Sequence, residues 1–519
     1  MPRSFNTTGP CIPGEHYMLP PERRLGRVQR LIDDRKYFTL HAGRQTGKTT
    51  SLMWLARHLN GSGRWRAVWA DLETAREQPE PAAAMPIVLD AINRALRLRY
   101  TDLARPRAEE IEEVLRRPET AILEYLGRLA ALDDRPLVLL LDEVDGLVGP
   151  AMVSFLTQLR DGYIARSQAP FPASVVLVGQ RQVRDYVVSI EERRALSWLG
   201  TTSPFNITAE ATTLGPFTEV EVEELLAQHT ADTGQRFEPE AVHRVWELAQ
   251  GHPWLTSALA DQIAGRDVED RGIPITEAHI ESAKETIILE RRSHIDSLIA
   301  RLREPRVRRI LEPMLAGTSL PTDPIEDDVG YVLGLGLVRV VRGELQIANP
   351  IYREVIPRAL TWTQQISIHQ PTEWYVRPDG SLDVPKLVTA WQAFWRKDGH
   401  LAAEGFGYRE AGPHLMLMAF LQRVVNGGGR VEREYGLGRG ALDLMIFWQG
   451  ARHAIEVKLR RDTETEAEAL EQIGRYLDRA KLDEGWLLLF DLRKELSWTE
   501  KLFVREVAHE GKKIRVVGC

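Results

Sequence analysis

The chain has very few cysteines, no long apolar run and no excess of positive charge. Only two of its 519 residues are cysteines, Cys11 and Cys519, which argues against a disulfide framework or a cysteine-based zinc site and fits a reducing cytoplasm. No apolar stretch approaches the ~20 residues of a membrane span, and the polar first residues do not resemble a signal peptide. Because the net charge is −7, any surface for nucleic acid has to be local.

The first third of the chain alternates strand and helix patterns. The length suggests three or four domains of roughly 100–200 residues. Apolar runs at 37–41, 65–73, 136–145 and 174–180 are typical of buried strands, and helical patterns separate them. Continuous apolar strands joined by helices predict an α/β domain with a parallel sheet covered on both faces.

A glycine-rich loop, AGRQTGKTT, joins the first of these strands to a helix. A P-loop needs this context because the N–H groups of the loop and of the helix N-terminus face the phosphates. We expect Lys48 to reach the β- and γ-phosphates and the Thr49 hydroxyl to ligate Mg²⁺. Ala42 stands where the motif usually has its first glycine. The predicted nucleotide-binding residues of this loop are Ala42, Gly43, Arg44, Gln45, Thr46, Gly47, Lys48, Thr49 and Thr50.

A second nucleotide-site motif is predicted in LVLLLDEVDGL, where an apolar strand ends in two acids. Asp142 would hold Mg²⁺ through water, and Glu143 would polarise the attacking water. The alternative is an ordinary buried strand that ends in an acidic turn. The next strand ends near Gln180 and Arg181, either of which could sense the γ-phosphate, although polar residues cap most strands in such sheets.

With these motifs, residues 1–360 resemble the AAA+-related signal-transduction ATPases, the STAND group, and in particular its archaeal-type ATPases. The resemblance implies a P-loop ATPase domain at 1–213, a helical lid at 214–290 and a winged helix at 291–360. GPCIPGEHYMLPPERR is similar to the segment that wraps the adenine, which makes Tyr17 a nucleotide contact. LAQGHPWLTSAL is similar to a Gly-x-Pro turn of the lid, with His252 and Pro253 facing the nucleotide. For His252 a plain helix-breaking turn is the alternative, and we find no clear arginine finger.

Near the other end, LDLMIFWQGARHAIEVK predicts two apolar strands joined by a turn, yet it carries charges at Asp443, Glu456 and Lys458. Side chains alternate along a strand, so Glu456 and Lys458 share one face. If the strands are antiparallel neighbours, Asp443 and Glu456 converge. Two such carboxylates can bind Mg²⁺, which lowers the pKa of a bound water and stabilises charge on a scissile phosphate. Lys458 would position the water.

This pattern resembles the PD-(D/E)XK nuclease family over roughly residues 400–519, a restriction-endonuclease-like α/β domain that follows a linker at 361–399. Asp443, Glu456 and Lys458 match its D…ExK core. Gln472 matches a glutamine of the RecB- and Holliday-resolvase-like branch, and Glu410 is the extra acid on the opening helix. GALD stands where the family has its proline. The alternative is an ordinary salt-bridged hairpin on a nuclease-like fold.

Together the two resemblances imply a cytoplasmic switch ATPase that binds ATP or ADP and controls a Mg²⁺-dependent nuclease, for which Mn²⁺ is another metal. The substrate would be nucleic acid, DNA in preference to RNA, in defence or mobile-element biology. No membrane is involved, and a nucleotide-dependent homo-oligomer or a partner protein is compatible with the resemblance.

Two alternatives come from other classes of protein. One is a regulatory or DNA-binding ATPase with a catalytically silent nuclease-like domain. Its DNA surface would be the winged helix and an arginine run, although interspersed glutamates favour a solvated helix face for that run. The other is a ring-shaped motor that translocates DNA, against which the missing arginine finger argues. The arginines of the run are Arg301, Arg303, Arg306, Arg308 and Arg309.

Overall fold

A computed structural model describes residues 3–179, 208–315, 327–360, 375–399, 411–425, 429–434, 442–460, 465–491, 493 and 496–519. The chain divides into two compact units, Met1–Glu290 with Leu333–Leu337, and Arg291–Val332 with Val338–Cys519. Of the described helices, none is long and apolar enough to cross a membrane.

The first unit begins with the predicted α/β part. Its five strands form one parallel sheet in the order β2-β3-β4-β1-β5. Strands β1, β3 and β4 are buried along their whole length, which is why their sequences are continuous apolar runs. The elements are α1 (Glu22–Asp33), β1 (Tyr37–His41), α2 (Lys48–Gly61), β2 (Arg66–Asp71), α3 (Pro81–Leu98), α4 (Ala108–Leu115), α5 (Ala121–Ala131), β3 (Leu137–Asp142), α6 (Gly149–Ala165), β4 (Ser174–Gly179) and β5 (Thr208–Thr213).

The predicted lid region is helical, and its helix starts carry local signals. Thr218 and Glu221 form a capping box, in which Thr218 Oγ1 accepts from Glu221 N at 3.2 Å and Glu221 Oε2 accepts from Thr218 N at 2.8 Å. Prolines occupy the first turn of the next two helices, where no N–H is needed. The helices are α7 (Glu219–Thr233), α8 (Pro239–Ala249), α9 (Pro253–Gln262) and α10 (Glu277–Leu289).

The second unit begins with the elements expected of a winged helix. Helices precede an antiparallel hairpin in which Val338 pairs with Ile347, and another helix follows. The order helix, hairpin, helix is therefore present from Asp327 to Leu360, and the winged helix at 291–360 stays a prediction. The elements are α11 (Ser293–Arg301), α12 (Pro305–Leu315), α13 (Asp327–Gly334), β6 (Val338–Val341), β7 (Glu344–Ile347) and α14 (Pro350–Leu360).

The rest of the second unit is built on a mixed sheet of six strands in the order β12-β13-β11-β10-β9-β8. Strands β10, β11 and β13 run parallel, and β8, β9 and β12 pair antiparallel with their neighbours. The elements are α15 (Val384–Phe394), α16 (Ala411–Val425), β8 (Gly429–Glu434), β9 (Leu442–Trp448), β10 (Ala451–Leu459), α17 (Thr465–Ala480), β11 (Glu484–Phe490), α18 (Trp498–Lys501), β12 (Val504–His509) and β13 (Lys512–Gly518).

Helices cover both faces of this sheet. Residues of α17 join Met445 and Ala454 in one apolar cluster. On the other face, the Trp391 ring of α15 lies 5.4 Å from the Phe420 ring of α16 and 6.0 Å from the Phe490 ring of β11. This α/β/α layering leaves the strand ends as the place where polar side chains can meet.

Two features differ from the sequence-based expectation. Helix α15 lies inside the predicted linker 361–399, but it packs on the sheet, and Gln392 Nε2 donates to Gly518 O at 2.7 Å. Strands β12 and β13, which the sequence analysis did not predict, extend the sheet by two strands. Charged residues interrupt both of these strands, so their apolar alternation is too short to stand out.

Candidate nucleotide site and candidate metal site

The glycine-rich loop lies between β1 and α2, as predicted. Lys48, the first residue of α2, is buried, and its Nζ donates to Ala42 O at 2.8 Å and to Gly43 O at 2.9 Å. Gln45 and Gly47 have positive φ angles of 57° and 85°. Such turns direct successive N–H groups into one concave surface, which suits an anion.

The magnesium-binding residues predicted on separate segments are in contact. Thr49 Oγ1 donates to Asp142 Oδ2 at 2.8 Å, because β3 ends beside the start of α2. Burial raises the pKa of Asp142. A cation bound beside this carboxylate would lower the pKa, because it favours the charged form. A hydroxyl and a carboxylate beside a phosphate-binding loop are oxygen donors of the kind that Mg²⁺ takes. The residues therefore fit a magnesium–nucleotide complex, with Thr49 and Asp142 as the residues that would hold the ion.

Glu143 follows Asp142 in a strained turn and has a perturbed carboxyl group. Its φ is 52°, and Arg76 Nη2 lies 3.3 Å from its Oε2. Burial and the neighbouring Asp145 and Asp142 raise the pKa of Glu143 to about 7. A carboxyl group with this pKa can exchange a proton near neutral pH, as a group that polarises water must. The sequence analysis did not use Asp145, which lies against Gly179 at the end of β4.

Gly43 is the glycine that the loop needs at its start. A Cβ at this position would lie 2.9 Å from Leu335 O, in the short segment 333–337 that belongs to the same unit. Ala42, which follows β1, is buried. The close approach of Leu335 O therefore accounts for the glycine at position 43.

The lid turn with His252 and Pro253 touches the loop. His252 caps α9, accepting from Leu255 N at 3.4 Å, and its ring hydrogen-bonds the Arg44 main chain. Burial lowers the pKa of His252 to about 4, so the ring is neutral at pH 7. Pro253 supplies the first turn of α9. The structure thus brings His252 to the P-loop; that it also contacts a nucleotide stays a prediction.

Tyr17 lies in an aromatic cluster rather than on an open surface. It is 2% exposed, its ring centre lies 4.8 Å from that of Phe5, and it meets His229 edge-on at 5.8 Å. Arg3 lies over its ring at 5.0 Å. The predicted contact of Tyr17 with adenine would require part of this cluster to face the nucleotide, and it stays a prediction.

The strand register brings the carboxylates of the second unit to one row. Asp443 on β9 stands directly opposite Glu456 on β10, as predicted for an antiparallel pair. Asp443 also stands directly opposite Glu434 on β8. Directly opposite residues share a face of the sheet, so Glu434, Asp443 and Glu456 form a row across three strands. The sequence analysis missed Glu434, which only the register of β8 reveals.

Glu456 is the member of this row whose side chain the structure describes. It is 1% exposed, and among the described residues neither of its carboxylate oxygens accepts a hydrogen bond. Lys458 Nζ lies 3.6 Å from Glu456 Oε1. A buried carboxylate normally has hydrogen bonds or coordinates a metal, so a divalent ion fits this position. Within the described side chains no group of three or more His, Cys, Asp or Glu is arranged to hold a metal, and those of Asp443 and Glu434 are outside that set.

Four other predicted site residues remain without a test of their role. Gln472 lies on α17, the helix that covers the carboxylate face. Gln180, Arg181 and Glu410 lie outside the described residues.

The arginine run of α11 and α12 is engaged within its own unit. Arg306 Nε and Arg309 Nη1 both contact Asp328, at 2.8 and 2.5 Å, and the Arg306 guanidinium lies 4.2 Å from the centre of the Tyr331 ring. Arg301 pairs with Glu304 at 2.8 Å and Arg308 with Glu312 at 2.6 Å. These pairs give the four arginines partners within the unit, which argues against a dedicated nucleic-acid surface.

The first unit has a P-loop NTPase-like fold. The P-loop follows β1, the acidic motif ends β3, and β4 lies between these two strands, so the phosphate site and Asp142 meet at one edge of the parallel sheet. The second unit ends in a mixed-sheet α/β domain. A family model described as a domain of unknown function (DUF8371) matches residues 388–494. No curated protein matches the sequence.

Solved structures with some likeness match about two thirds of the chain. The Walker-type ATPase PABY2304 of Pyrococcus abyssi is 14% identical with a TM-score of 0.48, and the match covers 68% of this chain and 99% of that one. Cdc6p from Pyrobaculum aerophilum is 14% identical with a TM-score of 0.36, covering 67% and 95%. The RuvB Holliday junction branch migration motor of Thermotoga maritima is 13% identical with a TM-score of 0.33, covering 68% and 95%. Such distant likenesses add nothing to the class that the loop and the strand order define.

Proposed function

We propose that the first unit binds and hydrolyses ATP with Mg²⁺, and that this nucleotide cycle controls a Mg²⁺-dependent nuclease in the second unit. The observation that supports ATP binding and hydrolysis is the 2.8 Å contact between Thr49 Oγ1 and Asp142 Oδ2. It joins a P-loop hydroxyl to an acid at the end of β3, beside Lys48. An α/β domain that binds no nucleotide would not need this combination of residues in order to fold.

Each residue of the nucleotide site then has a task. The Lys48 ammonium group, which donates to the carbonyls of Ala42 and Gly43, would bind the β- and γ-phosphates. Glu143 accepts a hydrogen bond from the attacking water and aligns it with the γ-phosphate. Mg²⁺, when bound, neutralises charge on the phosphate oxygens.

Phosphate release from ATP tests this half. Wild-type protein should release phosphate only with a divalent cation, and Lys48→Ala should lose this activity. Lys36→Ala is a matched control because Lys36 is an exposed lysine just before β1. Wild-type activity in Lys48→Ala would show that hydrolysis does not occur at this loop.

The nuclease half is supported by the placement of Glu456. This carboxylate is buried without a hydrogen bond from the described residues, directly opposite Asp443 and 3.6 Å from Lys458 Nζ. Asp443 and Glu456 would hold the ion, and Lys458 would bind the scissile phosphate and orient water. A divalent ion, when bound, lowers the pKa of a water molecule and stabilises the phosphate charge.

Cleavage assays with single- and double-stranded DNA and RNA, with Mg²⁺ or Mn²⁺, test this half. Asp443→Asn should abolish cleavage. Glu434→Gln should weaken it if the row of acids holds the ion, whereas Glu432→Gln is the matched control, because Glu432 lies on the same strand and face opposite Met445. Binding of the substrates without cleavage would favour the alternative, a nucleic-acid-binding ATPase with a silent nuclease-like domain.

Control by nucleotide requires one further comparison. Addition of ATP should change the cleavage rate of the wild type, and Lys48→Ala should lose this response while retaining basal cleavage. Equal cleavage with and without ATP would separate the two activities and contradict the switch. Membership of the STAND group, nucleotide-dependent assembly and a role in defence are further predictions of the same proposal.

A further inference from the structure

An arginine outside the P-loop, Arg24 on α1, links the loop to the start of the lid. Its Nη1 donates to Thr46 O at 3.1 Å, and its Nε donates to Gly215 O at 3.0 Å, with Nη2 also donating to Gly215 O. The guanidinium carbon lies 5.1 Å from the centre of the Phe217 ring. The Arg24 side chain therefore contacts both the P-loop and the segment that leads into α7.

The contact with Thr46 controls the direction of a loop N–H. In a trans peptide the C=O and N–H groups point in opposite directions. A bond that holds Thr46 O towards Arg24 therefore directs the Gly47 N–H away from Arg24. Gly47 lacks a Cβ and has a φ of 85°, so this peptide unit would reorient at little cost without an external restraint.

The lid segment that Arg24 holds returns to the P-loop by a second route. Phe217 N donates to Gly251 O at 2.8 Å, and the next residue, His252, hydrogen-bonds the Arg44 main chain. The loop is thus tied to the lid at Thr46 through Arg24 and at Arg44 through His252. A movement of the lid that changes the Arg24–Thr46 contact should therefore also change the His252–Arg44 contact.

We infer that Arg24 is a positioning residue, which presents the Gly47 N–H to a bound phosphate and couples nucleotide binding to the position of the lid. The inference rests on the proposed nucleotide function. Burial lowers the pKa of Arg24 to about 10, so the guanidinium remains charged at neutral pH. Lysine would not reproduce these contacts, because its single nitrogen cannot take the places of both Nη1, which reaches Thr46 O, and Nε with Nη2, which reach Gly215 O.

The experiment measures the affinity for fluorescent ADP in the full-length protein. Arg24→Ala and Arg24→Lys should each weaken ADP binding by roughly tenfold or more, the range expected for loss of a charged hydrogen bond. Arg23→Ala is the matched control, since Arg23 also joins α1 to the lid through Glu224 at 2.5 Å but is exposed. It should change ADP affinity less than about twofold, as expected of a surface pair.

Hydrogen exchange of the Phe217 amide supplies a readout that loss of fold alone would not reproduce. In the wild type, ADP should slow this exchange, because binding fixes the lid segment. In Arg24→Lys, whose stem and charge preserve the folded unit, ADP should leave it unchanged.

The results distinguish the role of Arg24 from the proposed nucleotide function on which that role depends. Wild-type ADP affinity in both Arg24 variants, together with loss of binding in Lys48→Ala, would overturn the role of Arg24 and leave the nucleotide site intact. Failure of the wild type itself to bind ADP would overturn the nucleotide function and the inference with it. Weaker binding with an unaltered ADP effect on Phe217 exchange would overturn the coupling to the lid.

Discussion

Replacement of Glu143 by glutamine should stabilise the nucleotide-free protein at pH 8 and at the same time slow ATP hydrolysis. The carboxyl group is partly buried beside Asp142 and Asp145, and these surroundings raise its pKa to about 7. In the folded protein the charged form is therefore unfavourable. Glutamine keeps the size of the side chain and removes the charge.

The magnitude follows from the pKa difference. An unfolded glutamate has a pKa of about 4.5, and each pKa unit corresponds to about 1.4 kcal/mol. Below pH ~4.5 the glutamate is protonated in both the folded and the unfolded protein, so it does not reduce the free energy of unfolding. As the pH rises, the unfolded state releases its proton first, so stability falls until the folded group ionises near pH 7. The charged carboxylate then costs about 3 kcal/mol, and at pH 5 the cost is under about 1 kcal/mol.

Urea unfolding at pH 5 and pH 8, in EDTA and without nucleotide, measures this difference. Glu143→Gln should raise the free energy of unfolding by about 3 kcal/mol at pH 8 and by less than about 1 kcal/mol at pH 5. Glu73→Gln is the control, because Glu73 pairs with the same Arg76 at 3.4 Å but its side chain is 62% exposed. A surface substitution of this kind should stay within about 0.5 kcal/mol.

Hydrolysis should move in the opposite direction. Loss of the group that aligns water should lower the turnover number by about 10²–10³ while ATP still binds. A variant that is no more stable than the wild type at pH 8 would refute the electrostatic argument. A variant with normal turnover would refute the assignment of Glu143 to the reaction.

Three further predictions test other parts of the molecule. Lys48→Ala should weaken ATP binding roughly tenfold or more, measured by calorimetry, since a charged hydrogen bond to phosphate is lost. Glu456→Gln should raise the thermal midpoint of the metal-free protein and remove its stabilisation by Mn²⁺; a lower midpoint would mean that Glu456 is a structural partner of its hairpin. Gly251→Ala should destabilise the first unit by more than Gly234→Ala, in urea unfolding. Both positions have positive φ, at 72° and 79°, but only at Gly251 would a Cβ collide with the Phe217 carbonyl; equal losses would contradict this packing.

Local patterns were sufficient for most of the fold. Strands β1, β3 and β4 are continuous apolar runs, and a P-loop is a contiguous motif that can be recognised from its own residues. The same approach missed β5, whose sequence is TAEATT. This strand joins the sheet at its edge beside β1, where fewer apolar side chains are needed, so its sequence carries no hydrophobic signal.

The sequence by itself determined which residue types were available for chemistry: Lys48 and Thr49 in a glycine-rich loop, Asp142 and Glu143 after a buried strand, and three charges on an apolar hairpin. Alternation with period two is enough to place Glu456 and Lys458 on one face of their strand. Periodicity and contiguous motifs are local properties, and for this reason they can be recognised in one dimension.

The tertiary structure alone decided which of these residues meet. The contact of Thr49 with Asp142 joins segments 93 positions apart, and Arg24 reaches a carbonyl 191 positions away. The row of Glu434, Asp443 and Glu456 depends on the register of three strands, and a shift of one residue would turn each acid to the other face. Register and long-range hydrogen bonds follow from how the whole sheet and its covering helices pack, which no single segment of the sequence encodes.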